Sequence, residues 1–178
     1  MGVRLTRLAA VALAALGLTA SGALATTSPA RTVRAADQLE SRVLVELNAV
    51  RRAHGLVPLR LSRPLAAAAD AHSRAMATHG FFEHSSRDGS AFWERVKRFY
   101  RPGKRGGWSV GENLLWSTTG IEARRAVELW MKSPAHRRNI LTARWREIGL
   151  SAVTTQSAPG VFAGRDVVII TTDFGVRS

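Results

Sequence analysis

The sequence predicts an α+β fold, with helices in the first part of the chain and a small antiparallel sheet near its end. In the first part, apolar residues such as Leu39, Val43 and Leu47 recur at helical spacing. Near the end, apolar and polar residues alternate from Ile148, and every residue of 167–172 is β-branched, as in strands. Helices that precede the strands, rather than alternating with them, favour an α+β arrangement over a parallel α/β sheet.

Five helices are predicted from periodicity and from residues that start or stop helices. The first extends from about Ala36 to His54, and the second from Ser62 to His79; a glycine follows each of them. A short third helix covers Phe92 to Phe99. A capping box at 119–122 opens the fourth helix, and Ser133-Pro134 starts a further helical segment that continues to Leu141.

The N-terminal residues have the pattern of an export signal. Arg4 and Arg7 precede an apolar stretch at 8–20, and Ala23-Leu24-Ala25 is a small-x-small cleavage site. The alternative is a membrane anchor, but the apolar stretch is shorter than the roughly 20 residues that span a bilayer. We therefore expect a signal peptide at 1–25, and a secreted, extracellular or cell-wall-associated protein.

The remaining chain has the length of one domain. We expect residues 26–37 to form a flexible lead-in, because they are rich in small and polar residues, and residues 38–178 to form the domain. The 178-residue sequence contains no cysteine. Disulfides, thiol catalysis and zinc–thiolate sites are therefore excluded, and the domain must rely on its core.

The chain is strongly basic. It has 26 Lys and Arg residues against 13 Asp and Glu residues, a net charge of +13, and loss of Arg4 and Arg7 with the signal would leave +11. This balance predicts attraction to an anionic cell-wall polymer or lipid, although a solvated basic face is the alternative. No helix-turn-helix, zinc-finger or aromatic pattern indicates specific nucleic-acid binding. The positive residues cluster at Arg95, Lys97, Arg98, Arg101, Lys104 and Arg105, and at Arg137, Arg138, Arg144 and Arg146.

Three ordered motifs resemble those of a known family. They are Phe81-Phe82-Glu83-His84, Gly111-Glu112-Asn113-Leu114 and the segment from Trp130 to Leu141, and the likeness continues at Ile148-Gly149-Leu150 and at 172–175. Together they resemble the CAP superfamily of cysteine-rich secretory proteins, venom allergens and pathogenesis-related proteins, in its cysteine-free bacterial form. The resemblance implies an α-β-α sandwich, with three or four antiparallel strands between helical layers.

The resemblance also implies a functional cleft. In the family, two histidines and two glutamates line one open cleft; the matching residues here are His84, Glu112 and His136, while Ser133 occupies the position of the second glutamate. Two imidazoles and a carboxylate suit a divalent metal such as zinc, and these three residues are its candidate ligands. Alternatively, Glu112 could fix the tautomer of one imidazole.

Two function classes follow from this cleft. The first is a secreted, monomeric binding module that holds a metal or a small ligand, and the missing second glutamate favours it over catalysis. The second is a metal-dependent hydrolase, with His84 and His136 as ligands and Glu112 as general base. The Gly-x-Ser-x-Gly pattern at 107–111 does not indicate an esterase, because the glycine-rich and basic segment before it is not a buried strand.

Some further residues have structural explanations. We expect His72 to be a core residue, and His54 and His79 to be helix-end residues, because each of these two precedes a glycine. Trp108 and Trp116 flank the Gly-Glu-Asn motif and either pack in the core or line the edge of the cleft.

Overall fold

The computed structural model describes residues 29–118 and 120–178. The predicted signal peptide at 1–25 lies outside the described residues. The elements are α1 (Pro29–Ala53), β1 (Arg60–Leu61), α2 (Arg63–His79), α3 (Phe92–Phe99), β2 (Trp108–Thr118), α4 (Ala123–Lys132), α5 (Pro134–Ile140), β3 (Glu147–Ala158), a 3₁₀ turn (Gly160–Phe162) and β4 (Arg165–Arg177).

The strands form one mixed sheet in the order β1-β3-β4-β2. β4 pairs antiparallel with both β3 and β2, which confirms the α+β class and the four strands. The sheet is not wholly antiparallel, because β1 pairs parallel with β3 through Arg60 opposite Glu147 and Leu61 opposite Ile148. A parallel neighbour requires a long connection, and here α2, α3, β2, α4 and α5 provide it.

Helices cover both faces of the sheet. Successive residues of a strand point to opposite faces, and β4 shows this directly. Val167 and Ile169 pack in a cluster with Met76 of α2. The residues between and beyond them, Val168 and Ile170, pack in a second cluster that contains side chains of α1 and α4. The layers therefore form the expected α-β-α sandwich.

Gly149 sets the distance between α2 and the sheet. A Cβ atom at this position would lie 2.0 Å from the carbonyl carbon of Leu65 and 2.1 Å from the backbone nitrogen of Ala66. The first turn of α2 therefore lies directly on β3, where no larger residue fits. This close approach explains the glycine in the Ile-Gly-Leu segment.

Two helix starts differ from the sequence-based predictions. α1 begins at Pro29 rather than near Ala36, so part of the predicted lead-in is helical. No glycine or proline lies between Pro29 and Gly55, and proline is tolerated in the first turn of a helix. α4 begins after Glu122, whose side chain makes no capping bond, so the capping box predicted at 119–122 does not start it. None of the described helices is both long and apolar enough to cross a bilayer.

Candidate functional site

The Gly-Glu-Asn motif lies in the middle of β2. Small and polar residues interrupt the apolar pattern of this strand, so the sequence alone does not predict it. Gly111 is required by packing: a Cβ atom there would lie 2.7 Å from Oδ1 of Asn139 and 3.1 Å from the ring of Trp145. The next residue, Glu112, lies opposite Asp173 in the register of β2 and β4.

Side-chain amides fix α5 to this part of β2. Nδ2 of Asn139 donates to the carbonyl oxygen of Glu112 at 2.9 Å and to Oδ1 of Asn113 at 3.0 Å. Nδ2 of Asn113 donates to the carbonyl oxygen of His136 at 3.1 Å. The backbone of His136 is therefore tied to the residue that follows Glu112. Nε1 of Trp145 donates to the carbonyl oxygen of Asn139 at 3.0 Å, which anchors the end of α5.

The Glu112 carboxylate is enclosed by its partners. Its side chain is 0% exposed, Oε1 lies 2.8 Å from Nδ1 of His84, and Oε2 accepts a hydrogen bond from Nη2 of Arg95. Nη1 of Arg95 also donates to the carbonyl oxygen of His84 at 3.2 Å and to Oγ of Ser86 at 3.1 Å. The Glu112–Arg95 ion pair thus holds both the ring and the backbone of His84.

The bond to Glu112 defines the tautomer of His84. A carboxylate only accepts hydrogen bonds, so Nδ1 carries the proton that is shared with Glu112. In the neutral ring, Nε2 then retains its lone pair. The side chain of His84 is 51% exposed, so the ring is accessible to a ligand. It also lies beside Phe92, with the two ring centroids 6.4 Å apart.

His136 is the second accessible imidazole. Burial lowers the pKa of His136, and the nearby charge of His84 lowers it further. His136 is therefore neutral at pH 7, the form in which an imidazole binds metals and accepts hydrogen bonds.

Asp173 completes the buried part of the site. Its side chain is fully buried, and neither of its oxygen atoms has a hydrogen-bond partner among the described residues. Burial and the negative charge of Glu112 raise the pKa of Asp173 well above its usual range. Both effects oppose ionisation of the Asp173 carboxyl group.

Of the three predicted site residues, Glu112 contacts the ring of His84, and its neighbour Asn113 bonds to the backbone of His136. Glu112 lies behind His84, with both oxygens bonded to protein groups, and is not placed beside the rings as a third ligand. Within residues 29–118 and 120–178, no three His, Cys, Asp or Glu side chains are grouped so as to hold a metal ion. This geometry matches the alternative in which Glu112 fixes an imidazole tautomer.

Sequence reasoning missed Arg95 and Asp173. Arg95 was assigned to the exposed basic cluster, but it is buried, with 6% of its surface exposed. A signal was available, because Arg95 lies three residues after Phe92 and four before Phe99, on the apolar side of a short helix. Asp173 similarly lies between buried residues of β4, where a charged side chain is unusual.

The other histidines occupy structural positions. His72 is buried, its Nε2 lies 2.8 Å from the carbonyl oxygen of Glu83, and burial lowers its pKa. His79 ends α2 before Gly80, which has a left-handed φ of 69°. His54 follows α1, and its Nδ1 lies 2.9 Å from the carbonyl oxygen of Val50.

The esterase pattern is not formed, and the two flanking tryptophans make packing contacts. Ser109 lies inside β2 rather than on a turn between a strand and a helix, so it is not a nucleophile elbow. Nε1 of Trp108 donates to the carbonyl oxygen of Tyr100 at 2.7 Å, and Trp116 packs edge-on against Phe162. Both tryptophans therefore have packing roles.

Comparison with known families identifies the class of protein. Residues 44–169 match the family model described as CAP, the cysteine-rich secretory protein family. The match covers more than half of the sequence, and the α+β fold with its four-stranded sheet agrees with it. The chain belongs to the CAP family.

Two Bacillus subtilis proteins are similar in sequence. YkwD is 32% identical over 143 residues, which are 78% of this chain and 53% of YkwD. The membrane protein YlbC is 28% identical over 111 residues, which are 62% of this chain and 30% of YlbC. The chain thus spans about half the length of the first relative and less than a third of the second.

Two solved structures have the same fold. An extracellular protein with an SCP domain from Bacillus anthracis superposes with a TM-score of 0.65 at 22% identity, covering 85% of this chain and 44% of that chain. An outer surface protein from Borrelia burgdorferi superposes with a TM-score of 0.64 at 19% identity, covering 79% of this chain and 94% of that chain. At these identities, the likeness defines the fold.

Removing the partner of Glu112 should destabilise the protein. We expect Arg95→Ala to lower the free energy of unfolding by about 3–5 kcal/mol, because it leaves a buried carboxylate unpaired. Arg74→Ala is the matched control, since it breaks an exposed pair with Asp70 and should change stability by less than about 0.5 kcal/mol. Urea denaturation followed by tryptophan fluorescence measures both. Equal stability of the two variants would contradict the role assigned to Arg95.

Proposed function

We propose that this chain is an exported binding module whose cleft contacts its ligand through the imidazole rings of His84 and His136. The complete burial of Glu112 between His84 and Arg95 is the observation that supports this proposal. A carboxylate enclosed in this way orients an imidazole but does not face a ligand. The two accessible rings are then the groups that make contact.

A divalent metal such as zinc suits the donor atoms of this cleft. His84 would bind through Nε2, because Glu112 occupies Nδ1, as in carboxylate–histidine–metal arrangements. His136 is already neutral at pH 7, so it can bind without first losing a proton. With two protein ligands, a bound metal would supply open positions for oxygen groups of a second molecule.

The hydrolase alternative is less well supported by the geometry. It requires Glu112 to act as general base, and a base must lie within hydrogen-bond reach of the proton that it removes. Glu112 is fully buried, and both of its oxygens are engaged by His84 and Arg95. We therefore favour binding over catalysis, since the CAP fold by itself does not define a reaction.

Zinc titration tests the proposed roles of the cleft residues. We expect zinc to bind the protein, and His84→Ala or His136→Ala to weaken binding at least tenfold, about 1.4 kcal/mol, because each removes a ligand. Glu112→Gln should weaken binding by about 10- to 100-fold, because it disturbs the orientation of His84. Isothermal titration calorimetry measures these affinities.

His79→Ala is the matched control for that titration. His79 is exposed, lies at the end of α2 and makes no contact with Glu112, so zinc affinity should stay unchanged. If His84→Ala and His136→Ala also leave the affinity unchanged, the two rings are not ligands. Circular dichroism of each variant separates loss of a ligand from loss of the fold.

The N-terminal sequence supports export. Arg4, Arg7 and the apolar stretch at 8–20 have the pattern of a signal peptide. The related Bacillus anthracis protein is described as extracellular. We expect the protein to be recovered from the culture medium or the cell wall with Thr26 as its first residue, which N-terminal sequencing checks. Recovery of the full-length chain from the cytosol alone would show that the segment is not a signal.

The basic residues next to the cleft support binding to anionic polymers. His136 lies on α5, and Arg137 and Arg138 follow it with exposed side chains. Counterion release makes such binding weaken with salt. The two arginines would attract an anionic cell-wall polymer or lipid to the side of the molecule that carries His136.

Chromatography on immobilised heparin tests whether this attraction is local. We expect the double variant Arg137→Gln/Arg138→Gln to elute at lower salt than Arg124→Gln/Arg125→Gln. The control pair removes the same charge from α4, where Arg124 and Arg125 lie near Glu128. Equal elution of the two variants would mean that net charge alone matters, and retention independent of salt would exclude an electrostatic origin.

A further inference from the structure

A cavity lies between α2 and α3, and its lining includes Arg95 and Ser86. Its volume is about 580 Å³, and neither His84 nor His136 lines it. This size falls within the range of about 300–1,000 Å³ that is typical of small-molecule sites. Ala71 and Ala75 of α2 and Phe99 of α3 form its apolar wall.

Three arginines also line this cavity. Arg87 and Arg98 have exposed side chains, whereas Arg95 is buried. Nη1 of Arg87 donates to Nδ1 of His79 at 3.3 Å, which holds its guanidinium beside the cavity. The cavity therefore combines an apolar wall with cationic groups that hydrogen-bond to anions.

Arg95 offers a hydrogen-bond donor that the protein does not use. Both of its Nη atoms bond to protein groups, but its buried Nε–H has no partner among the described residues. A buried donor without a partner is unfavourable. The guanidinium of Arg95 therefore lies at the wall of the cavity without a full set of protein partners.

The charge balance around the cavity favours a ligand with one negative charge. The positive charge of Arg95 is already compensated by Glu112. Of the other Arg, Lys, Asp and Glu residues that line the cavity, Arg87 and Arg98 are positive and Asp88 is negative, and the imidazoles of His72 and His79 also line it. Hydrogen bonds from Ser90 lower the pKa of Asp88, so Asp88 is ionised at neutral pH. One positive charge is left without a counterpart.

We propose that this cavity binds a small organic carboxylate with an apolar body. The planar guanidinium groups of Arg87 and Arg98 match the geometry of a carboxylate, which they can bind through paired hydrogen bonds. The apolar body, a ring or a short branched chain, packs on Ala71, Ala75 and Phe99. A dianion such as a phosphate monoester carries two negative charges, one more than the single uncompensated positive charge of the cavity can balance.

Titration with phenylacetate, followed by ¹H–¹⁵N NMR of the purified protein, tests this proposal. We expect saturable shifts of amide signals at Ala71, Ala75 and Phe99. The neutral analogue phenylacetamide should bind at least about tenfold more weakly, because it lacks the charge that the arginines recognise. Phenyl phosphate should also bind more weakly than phenylacetate, since it carries a second negative charge.

Arg98→Gln should weaken phenylacetate binding by about tenfold, because it removes a charged partner of the carboxylate. Arg101→Gln is the matched control: it removes the same charge from an exposed residue that does not line the cavity, and it should leave affinity unchanged. Arg95 is not substituted, because its loss would also strip Glu112 of its partner.

Several outcomes would overturn the proposal. These are absence of saturable shifts at millimolar phenylacetate, equal effects of Arg98→Gln and Arg101→Gln, or equal affinity for phenylacetamide. Preference for phenyl phosphate would contradict the selection of a monoanion. Shifts confined to His84 and His136 would assign the ligand to the cleft instead. His136→Ala should leave the affinity for phenylacetate unchanged, because His136 does not line the cavity. The two proposals are therefore tested independently, and absence of zinc binding would not count against the cavity.

Discussion

The buried ion pair between Glu112 and Arg95 is the interaction on which the candidate site depends. It joins β2 to α3, and through Nη1 of Arg95 it also holds the backbone at His84 and the side chain of Ser86. A buried ion pair adds little net stability, because burial removes both charges from water. Losing one partner is strongly destabilising, however, because the other charge stays buried. The main effect of the pair is therefore to fix the position of His84 rather than to stabilise the fold. In this position the His84 ring lies at the protein surface.

The second imidazole is positioned by backbone contacts rather than by charge. Gly111 lets α5 approach β2, and the amides of Asn113 and Asn139 then join the two elements. The two rings thus come from parts of the chain that are held by different means, an ion pair for His84 and an amide network for His136. Both sets of contacts meet at the centre of β2, which explains why the Gly-Glu-Asn motif marks the site.

The sequence predicted those features that local signals determine. α2 begins after Ser62 and α5 after Ser133, because a proline in the first turn marks each start. β2 escaped prediction because its pairing with β4 is a non-local contact, and its centre contains the buried polar residues Glu112 and Asn113. His84, Glu112 and His136 were found through the family resemblance. Neither periodicity nor spacing shows that Arg95 and Asp173 belong to the same site, because charged residues are usually exposed.

The electrostatics of the site separate its buried part from its accessible part. Glu112 is paired with Arg95, and burial together with the negative charge of Glu112 raises the pKa of Asp173. A second full negative charge beside Glu112 would not be balanced by the single arginine, so pairing and burial both act against net negative charge in the buried part of the site. His136 differs from these groups, because burial lowers its pKa and leaves its ring neutral at pH 7. The accessible part of the site therefore consists of one imidazole that is oriented through Nδ1 by a buried carboxylate and a second imidazole that burial keeps neutral.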